Sequence, residues 1–253
     1  MKFSANLGFL WSELPLPDAI RAAKAAGFDA VECHWPYDVP AGDVANALAE
    51  TGLPLLGLNT IRGATGENGL SALPGRQEEA RAAIDQAIAY ALTTQAKAIH
   101  VMAGFASGDE AHATFVDNLR YATQCADKHG KVILIEPLNR YDAPGYFLTH
   151  TAQAVQIIEE VAAPNLRLMF DCYHVQLMEG DVSNKLEQLK PHIGHIQFAG
   201  VPARGRPDVG ELNYAHVFQR ISELAYDFPL GAEYKPNGPT EPTLGWFTAF
   251  RSD

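Results

Sequence analysis

Val132-Ile133-Leu134-Ile135-Glu136-Pro137-Leu138-Asn139 runs four apolar residues straight into a carboxylate and then a proline. A continuous apolar run of this length reads as a strand buried on both faces. Pro137 has no N–H to give a neighbouring strand, so pairing stops there. Glu136 therefore falls where a buried strand opens into a loop. A lone carboxylate in that place is costly, and a positive group is expected to face it.

The same design recurs downstream. Leu166–Asp171 ends in Asp171, Ile193–Gln197 ends in Gln197, and Pro229–Glu233 ends in Glu233. Each of these strand-like runs finishes on an oxygen-bearing side chain, and one divalent cation would account for all of them.

Working outward, strands are expected at Phe3–Leu7, Phe28–Cys33, Pro54–Asn59 and Ala98–Met102. Helices are expected between them. Pro17–Ala26 opens on Pro and closes at Gly27, and Gly42–Glu50 closes near Gly52. Gln77–Leu92 and Glu110–His129 follow, the latter with Phe115, Leu119, Ala122 and Ala126 on one stripe. After the Glu136 strand come Thr149–Val161, capped by Thr149 or Thr151, then Val182–Leu189, Tyr214–Leu224 and a closing segment at Pro242–Phe250. Arg62–Gly75, rich in Gly and small residues, reads as a long loop of the functional kind.

Strand and helix alternate at intervals of roughly 25–35 residues, as βαβ units do. Strict alternation implies a parallel sheet, and eight units in 253 residues fit a closed (β/α)₈ TIM barrel of one domain, 1–253. An open doubly wound sheet would need a Gly-rich phosphate turn after the first strand, and Asn6-Leu7-Gly8-Phe9 is not one. In a barrel the strand C-termini share one mouth, so Glu136, Asp171, Gln197 and Glu233 are expected to converge there.

Composition is that of an ordinary globular chain, with 47% hydrophobic and 19% charged residues. The formal net charge of −11 argues against sequence-independent nucleic-acid binding. A small anionic substrate would need local positive groups to overcome that field. No apolar run is long enough to span a bilayer, and the first residues lack a signal peptide's apolar core. Cys33, Cys125 and Cys172 have no paired spacing and suggest reduced thiols in a cytoplasmic protein. No specific patch marks a homo-oligomer interface, although the outer helices of such barrels offer one.

Three carboxylates and an amide oxygen are hard ligands that suit Mg²⁺ or Mn²⁺. Zinc would more often take His or Cys. A single acid at a strand end is usually a helix cap or a loop ion pair, so the case rests on the four together. Gln197 is the weakest, because an amide can simply bond loop backbone.

Five motifs carry a resemblance. They are Ile135-Glu136-Pro137-Leu138-Asn139-Arg140, Met169-Phe170-Asp171-Cys172-Tyr173-His174, Gly194-His195-Ile196-Gln197, Gly210-Glu211-Leu212-Asn213-Tyr214 and Gly231-Ala232-Glu233-Tyr234-Lys235-Pro236. Asn6-Leu7 and Leu73-Pro74-Gly75-Arg76 extend it into the first half. The chain resembles the hydroxypyruvate isomerase family, a branch of the xylose-isomerase-like barrels that also include sugar epimerases and an endonuclease. The resemblance implies a metal held by Glu136, Asp171, Gln197 and Glu233, with Glu136 and Glu233 moving protons. The implied reaction interconverts hydroxypyruvate and tartronate semialdehyde.

Around that set, His174 falls three residues past Asp171, in the expected loop over the mouth, and reads as a donor to the substrate oxygen that becomes anionic. Arg204 and Lys235 are candidates for the substrate carboxylate, Lys235 because it shares strand parity with Glu233. Arg206 stands where the family pattern usually has an acid, which puts the substrate, not the metal, in question. His100 and His195 are expected to be hydrogen-bonded barrel histidines, and Glu32 and His34 either to line the mouth or to be structural, the structural role being favoured. Rival readings are an isomerase of a four-carbon 2-oxo acid sugar, a ketose 3-epimerase, an endonuclease-like phosphodiesterase, and a barrel that only binds sugar acids.

Overall fold

The computed structural model describes residues 1–251. The expected boundary at residue 253 thus lies outside the described residues. The chain alternates β1 (Phe3–Asn6), α1 (Leu16–Ala25), β2 (Ala30–Glu32), α2 (Ala41–Thr51), β3 (Gly57–Asn59), α3 (Gln77–Thr94), β4 (Ala98–His100), α4 (Gly108–Asp127) and β5 (Val132–Ile135). It continues with α5 (Thr151–Val161), β6 (Leu166–Asp171), α6 (Cys172–Met178), α7 (Val182–Leu189), β7 (Ile193–Phe198), α8 (Tyr214–Glu223), β8 (Leu230–Ala232) and α9 (Gly245–Phe250).

All the strand pairings are parallel, in the order β2-β1-β8-β7-β6-β5-β4-β3. The two ends of that order meet: Val31 bridges Leu55, and Leu56 N donates to Val31 O at 2.8 Å. The result is the (β/α)₈ barrel that the alternation predicts. Strands this short suffice because each is covered on both faces.

The two faces differ in chemistry. Outward-facing Phe3, Ile133, Ile135 and Phe198 pack into the helical layer, where Phe3 and Phe198 meet Trp246 of α9 edge to face. Inward, Ala98, Leu134 and Met169 form a small apolar plug. Above it the lining turns polar with Asn6, Glu32, His100, His195 and Gln197. Alternation along each strand separates the two sets.

Two local expectations are corrected. His174 lies on helix α6, not in a loop: the Asp171 side chain accepts from Tyr173 N at 2.9 Å and caps that helix. Seven residues are too few to leave a readable periodic signal. Neither Thr149 nor Thr151 caps α5. Instead the Glu179 carboxylate accepts from Thr151 N and from its hydroxyl, both at 2.8 Å, placing a negative charge at the helix start.

Candidate active site

The site forms where the strands end. Glu136 is the first residue past β5, Asp171 the last of β6, Gln197 the second-to-last of β7, and Glu233 the first past β8. Asp171 and Gln197 are direct register partners. A cavity of about 100 Å³ opens at this mouth, bounded by His34, Trp35, His100, Glu136, His174 and Glu233 among others. Gln197 lines a smaller cavity of about 20 Å³ directly beneath, and His100 faces both.

Several polar atoms here are buried with no hydrogen-bond partner among the described residues. They include Glu136 Oε1, Asp171 Oδ2, Gln197 Oε1 and His174 Nε2. Such atoms are rare because each carries its full desolvation cost, so the cluster calls for a ligand. Glu136, Asp171 and His174 offer atoms within 4.8 Å of one another, close enough to hold a metal ion. Two anionic oxygens and an amide oxygen fit a hard divalent cation.

His174 differs in kind from the other three. Asn139 N donates to its Nδ1 at 3.0 Å, which leaves the ring proton on Nε2. That nitrogen sits 3.6 Å from Asp171 Oδ2 and 3.8 Å from Glu136 Oε1. Burial pushes the pKa of His174 down to about 3, with Arg204 acting in the same direction. The ring is therefore neutral at pH 7 and presents an N–H donor to the cavity.

The two glutamates are held differently. Burial raises Glu136 well above the ordinary carboxylate value, and the charges of Glu233 and Asp171 raise it further. Burial likewise pushes Asp171 up to about 7, against the pull of Arg204. Burial also opposes ionisation of Glu233, yet Arg204's charge and then the His34 hydrogen bond hold it at about 2. His34 Nε2 lies 2.7 Å from Glu233 Oε1, and Arg204 Nη2 donates to Oε2 at 2.9 Å.

Arg204 is a buried ion-pair centre, reaching Glu233 at 2.9 Å, Asp142 at 3.3 Å and Asp171 at 3.5 Å. It is the positive group that the Glu136 strand calls for, acting from a distance through its field. Its backbone has φ 54°, a left-handed conformation that these contacts and the folded-back loop sustain. Gly200 permits that fold: a Cβ there would lie 2.3 Å from Arg206 O.

Other expected residues fall elsewhere. Lys235 does not follow Glu233 into the mouth, because β8 ends at Ala232; its side chain is exposed and lines no part of the cavity. Arg206 pairs with Asp208 at 3.1 Å, with its side chain 40% exposed. His195 does bond within the barrel, 2.6 Å from Glu32. His100 does not: both nitrogens lack partners, and Nδ1 stands 3.6 Å from Glu136 Oε2. His34 takes the mouth-lining alternative, bonding Glu233 there. Of the tryptophans only Trp35 lines the cavity, whereas Trp11 bonds Glu241 and Trp246 is core. Asp142 and Asn139, which hold Arg204 and His174, carried no signal beyond the Glu-Pro-Leu-Asn motif itself.

The comparisons agree with this architecture. A profile of the xylose isomerase-like TIM barrel matches residues 20–250. The chain is 43% identical over 255 residues to the 2-oxo-tetronate isomerase of Cupriavidus necator, covering 98% of both chains. It is 40% identical over 258 residues to the hydroxypyruvate isomerase of Escherichia coli, covering 99% of this chain and all of that one. Among solved structures, an AP endonuclease, family 2, from Brucella melitensis superposes with a TM-score of 0.95 at 38% identity, over 99% of both chains.

Proposed function

The chain belongs to the xylose isomerase-like TIM barrel family, and from that premise we propose that it is a metal-assisted isomerase interconverting hydroxypyruvate and tartronate semialdehyde. The observation that carries the chemistry is the group of buried, unpartnered oxygens on Glu136, Asp171 and Gln197. With Glu233 these residues would hold the divalent cation, Mg²⁺ or Mn²⁺. That ion, when bound, supplies charge stabilisation for the substrate oxygens that become anionic.

The reaction moves a carbonyl from C2 to C3. One proton leaves C3 and one is added at C2, while a second proton passes between the two oxygens. The intermediate is an enediolate. Glu136 and Glu233, just past the ends of β5 and β8, approach the cavity from different sides and serve as the two proton-transfer groups. His174 Nε2–H donates to the oxygen that gains charge, in the tautomer that Asn139 fixes. Trp35, Phe9 and Leu138 wall the cavity and limit water around the reacting carbons.

A second reading, isomerisation of a four-carbon 2-oxo-tetronate, is supported by the 43% identity to the Cupriavidus necator relative. It uses the same residues on a substrate one carbon longer. A coupled assay of each acid, with chelated and then metal-restored protein, tests both. Turnover of free ketoses with none of either acid would overturn them. Cleavage of abasic DNA would favour the nuclease relatives instead, against the net charge of −11. No helix among the described residues is long and apolar enough to cross a membrane. The free Cys33, Cys125 and Cys172 support a cytoplasmic setting.

A further inference from the structure

An acid substrate brings a carboxylate into a site already crowded with them, and a cation must receive it. Arg204 is committed to Glu233, Asp142 and Asp171. Lys235 is outside the cavity. One guanidinium remains at the mouth. Arg62, at the start of the long loop after β3, lines the catalytic cavity and also the open recess beside it.

Arg62 is built into place. Its guanidinium carbon lies 4.0 Å from the centroid of the Trp35 ring, a stacked cation–π arrangement. Its Nε donates to Asn68 Oδ1 at 3.1 Å. Its carbonyl accepts from Gly69 N at 2.8 Å, closing the loop on itself. Gly69 in turn sits so tightly on β4's extension that a Cβ would lie 2.5 Å from Met102 O, and its φ of +111° is open to glycine. Trp35 is tied down by its own bond to Met102 Sδ at 3.3 Å. Yet no carboxylate among the described residues pairs with Arg62, and its terminal nitrogens have no partner. Arg204, the other arginine that lines the cavity, is neutralised several times over. Burial lowers the pKa of Arg62, and no acid restores it.

We propose that Arg62 is the specificity residue that receives the substrate's carboxylate, using the two terminal nitrogens left free when Asn68 holds Nε and Trp35 holds the ring face. A guanidinium clamped in this way presents a planar pair of donors that matches a carboxylate, and little rotamer freedom is lost on binding. The site then divides its labour. Arg204 keeps Glu233 ionised, and Arg62 selects for small 2-oxo and hydroxy acids over neutral sugars. This assignment rests on the acid-isomerase reading given above.

The test compares wild type with Arg62→Gln and Arg62→Lys. With hydroxypyruvate, Arg62→Gln is expected to raise KM by about tenfold to a hundredfold, as loss of a charge-assisted pair does, with kcat changed by less than about threefold. Arg62→Lys should recover part of the affinity, since it keeps the charge and loses the fork. An independent readout is binding of D-glycerate, a non-isomerisable three-carbon acid, and of neutral glycerol to the metal-loaded protein by calorimetry. Glycerate should bind wild type more tightly than Arg62→Gln, and glycerol should not discriminate. Equal glycerate affinity in the two proteins, or an unchanged KM, overturns the assignment. Absence of turnover of either acid by wild type overturns the functional reading instead, and glycerate binding still decides the role of Arg62.

Discussion

The two sides of the barrel mouth treat the same side chain in opposite ways. At the end of β8, Glu233 has both oxygens bonded, by His34 and Arg204, and is held ionised. At the end of β5, Glu136 has an oxygen with no partner, faces two histidines whose pKa values burial has lowered, and is pushed toward its protonated form. Two glutamates in equally buried places therefore differ because one side carries the one deeply buried arginine among the described residues and the other carries neutral rings. Environments that drive paired carboxylates apart mark acid and base partners. Without a ligand Glu233 is already ionised, and Glu136 is the group whose charge waits on one.

The largest expected effect tests that pairing directly. Glu136→Gln and Glu233→Gln should each lower kcat by about 10²–10⁴-fold, the usual weight of a positioned proton-transfer group. Retention of more than about a tenth of wild-type kcat by either variant would break the two-glutamate assignment.

Arg204→Met attacks the side of the mouth that Arg204 keeps charged. It leaves Glu233, Asp171 and Asp142 without their common cation, and a broken buried pair costs about 3–5 kcal/mol. Chemical unfolding at pH 7.5 should show that loss, and Glu233→Gln in the same background should recover part of it.

The unpartnered side predicts a dependence on metal and pH. Asp171 sits at about 7 in the folded protein against an ordinary 3.8, so the unfolded chain releases its proton first as pH rises between those values. The metal-free protein should therefore lose stability from pH 5.5 to 7.5, and Asp171→Asn should flatten the slope. Glu233 works in the other direction. Its stabilisation is present above the ordinary 4.5 and is lost as pH falls toward about 2. Added Mn²⁺ should reverse the upper slope, giving about 2.7 kcal/mol at a hundred times its Kd, with protons released on binding. A thermal-shift series at several pH values reads all of this. The same midpoint at pH 5.5 and 7.5 without metal would contradict it.

The smallest effect is expected at Arg206. Its partner Asp208 is on the surface, so Arg206→Glu should change stability by less than about 0.5 kcal/mol and leave kcat/KM for hydroxypyruvate within about twofold. A larger kinetic change would mean that Arg206 acts on the substrate and not only on Asp208.

Much of this architecture is legible in the sequence. Val132–Ile135 read as a buried strand because its apolar run is unbroken, and Glu136 read as a rim residue because Pro137 must end the pairing. The barrel follows from alternation, and the oxygen donors at the strand ends from runs that finish on an oxygen-bearing side chain. The cation that controls Glu233 was harder to find. A lone Arg204 in a Gly- and Pro-rich loop looks solvated, and nothing local says that the loop folds inward. Lys235 failed for a related reason: parity holds only while a strand lasts, and β8 stops at Ala232. His34 and His100 gave only residue type and position, which do not distinguish a bonded barrel histidine from one facing a cavity.

The sequence by itself determined the alternation, the barrel and the register of oxygen donors at strand ends, because these depend on periodicity and on where an N–H is missing, both local properties of the chain. Only the tertiary structure decided which carboxylate is charged, which nitrogen of His174 carries the proton, and which arginine is free. Those depend on burial and on partners up to 199 residues away, as in the His34–Glu233 bond, and electrostatics in a desolvated site is fixed by proximity in space, not by order along the chain.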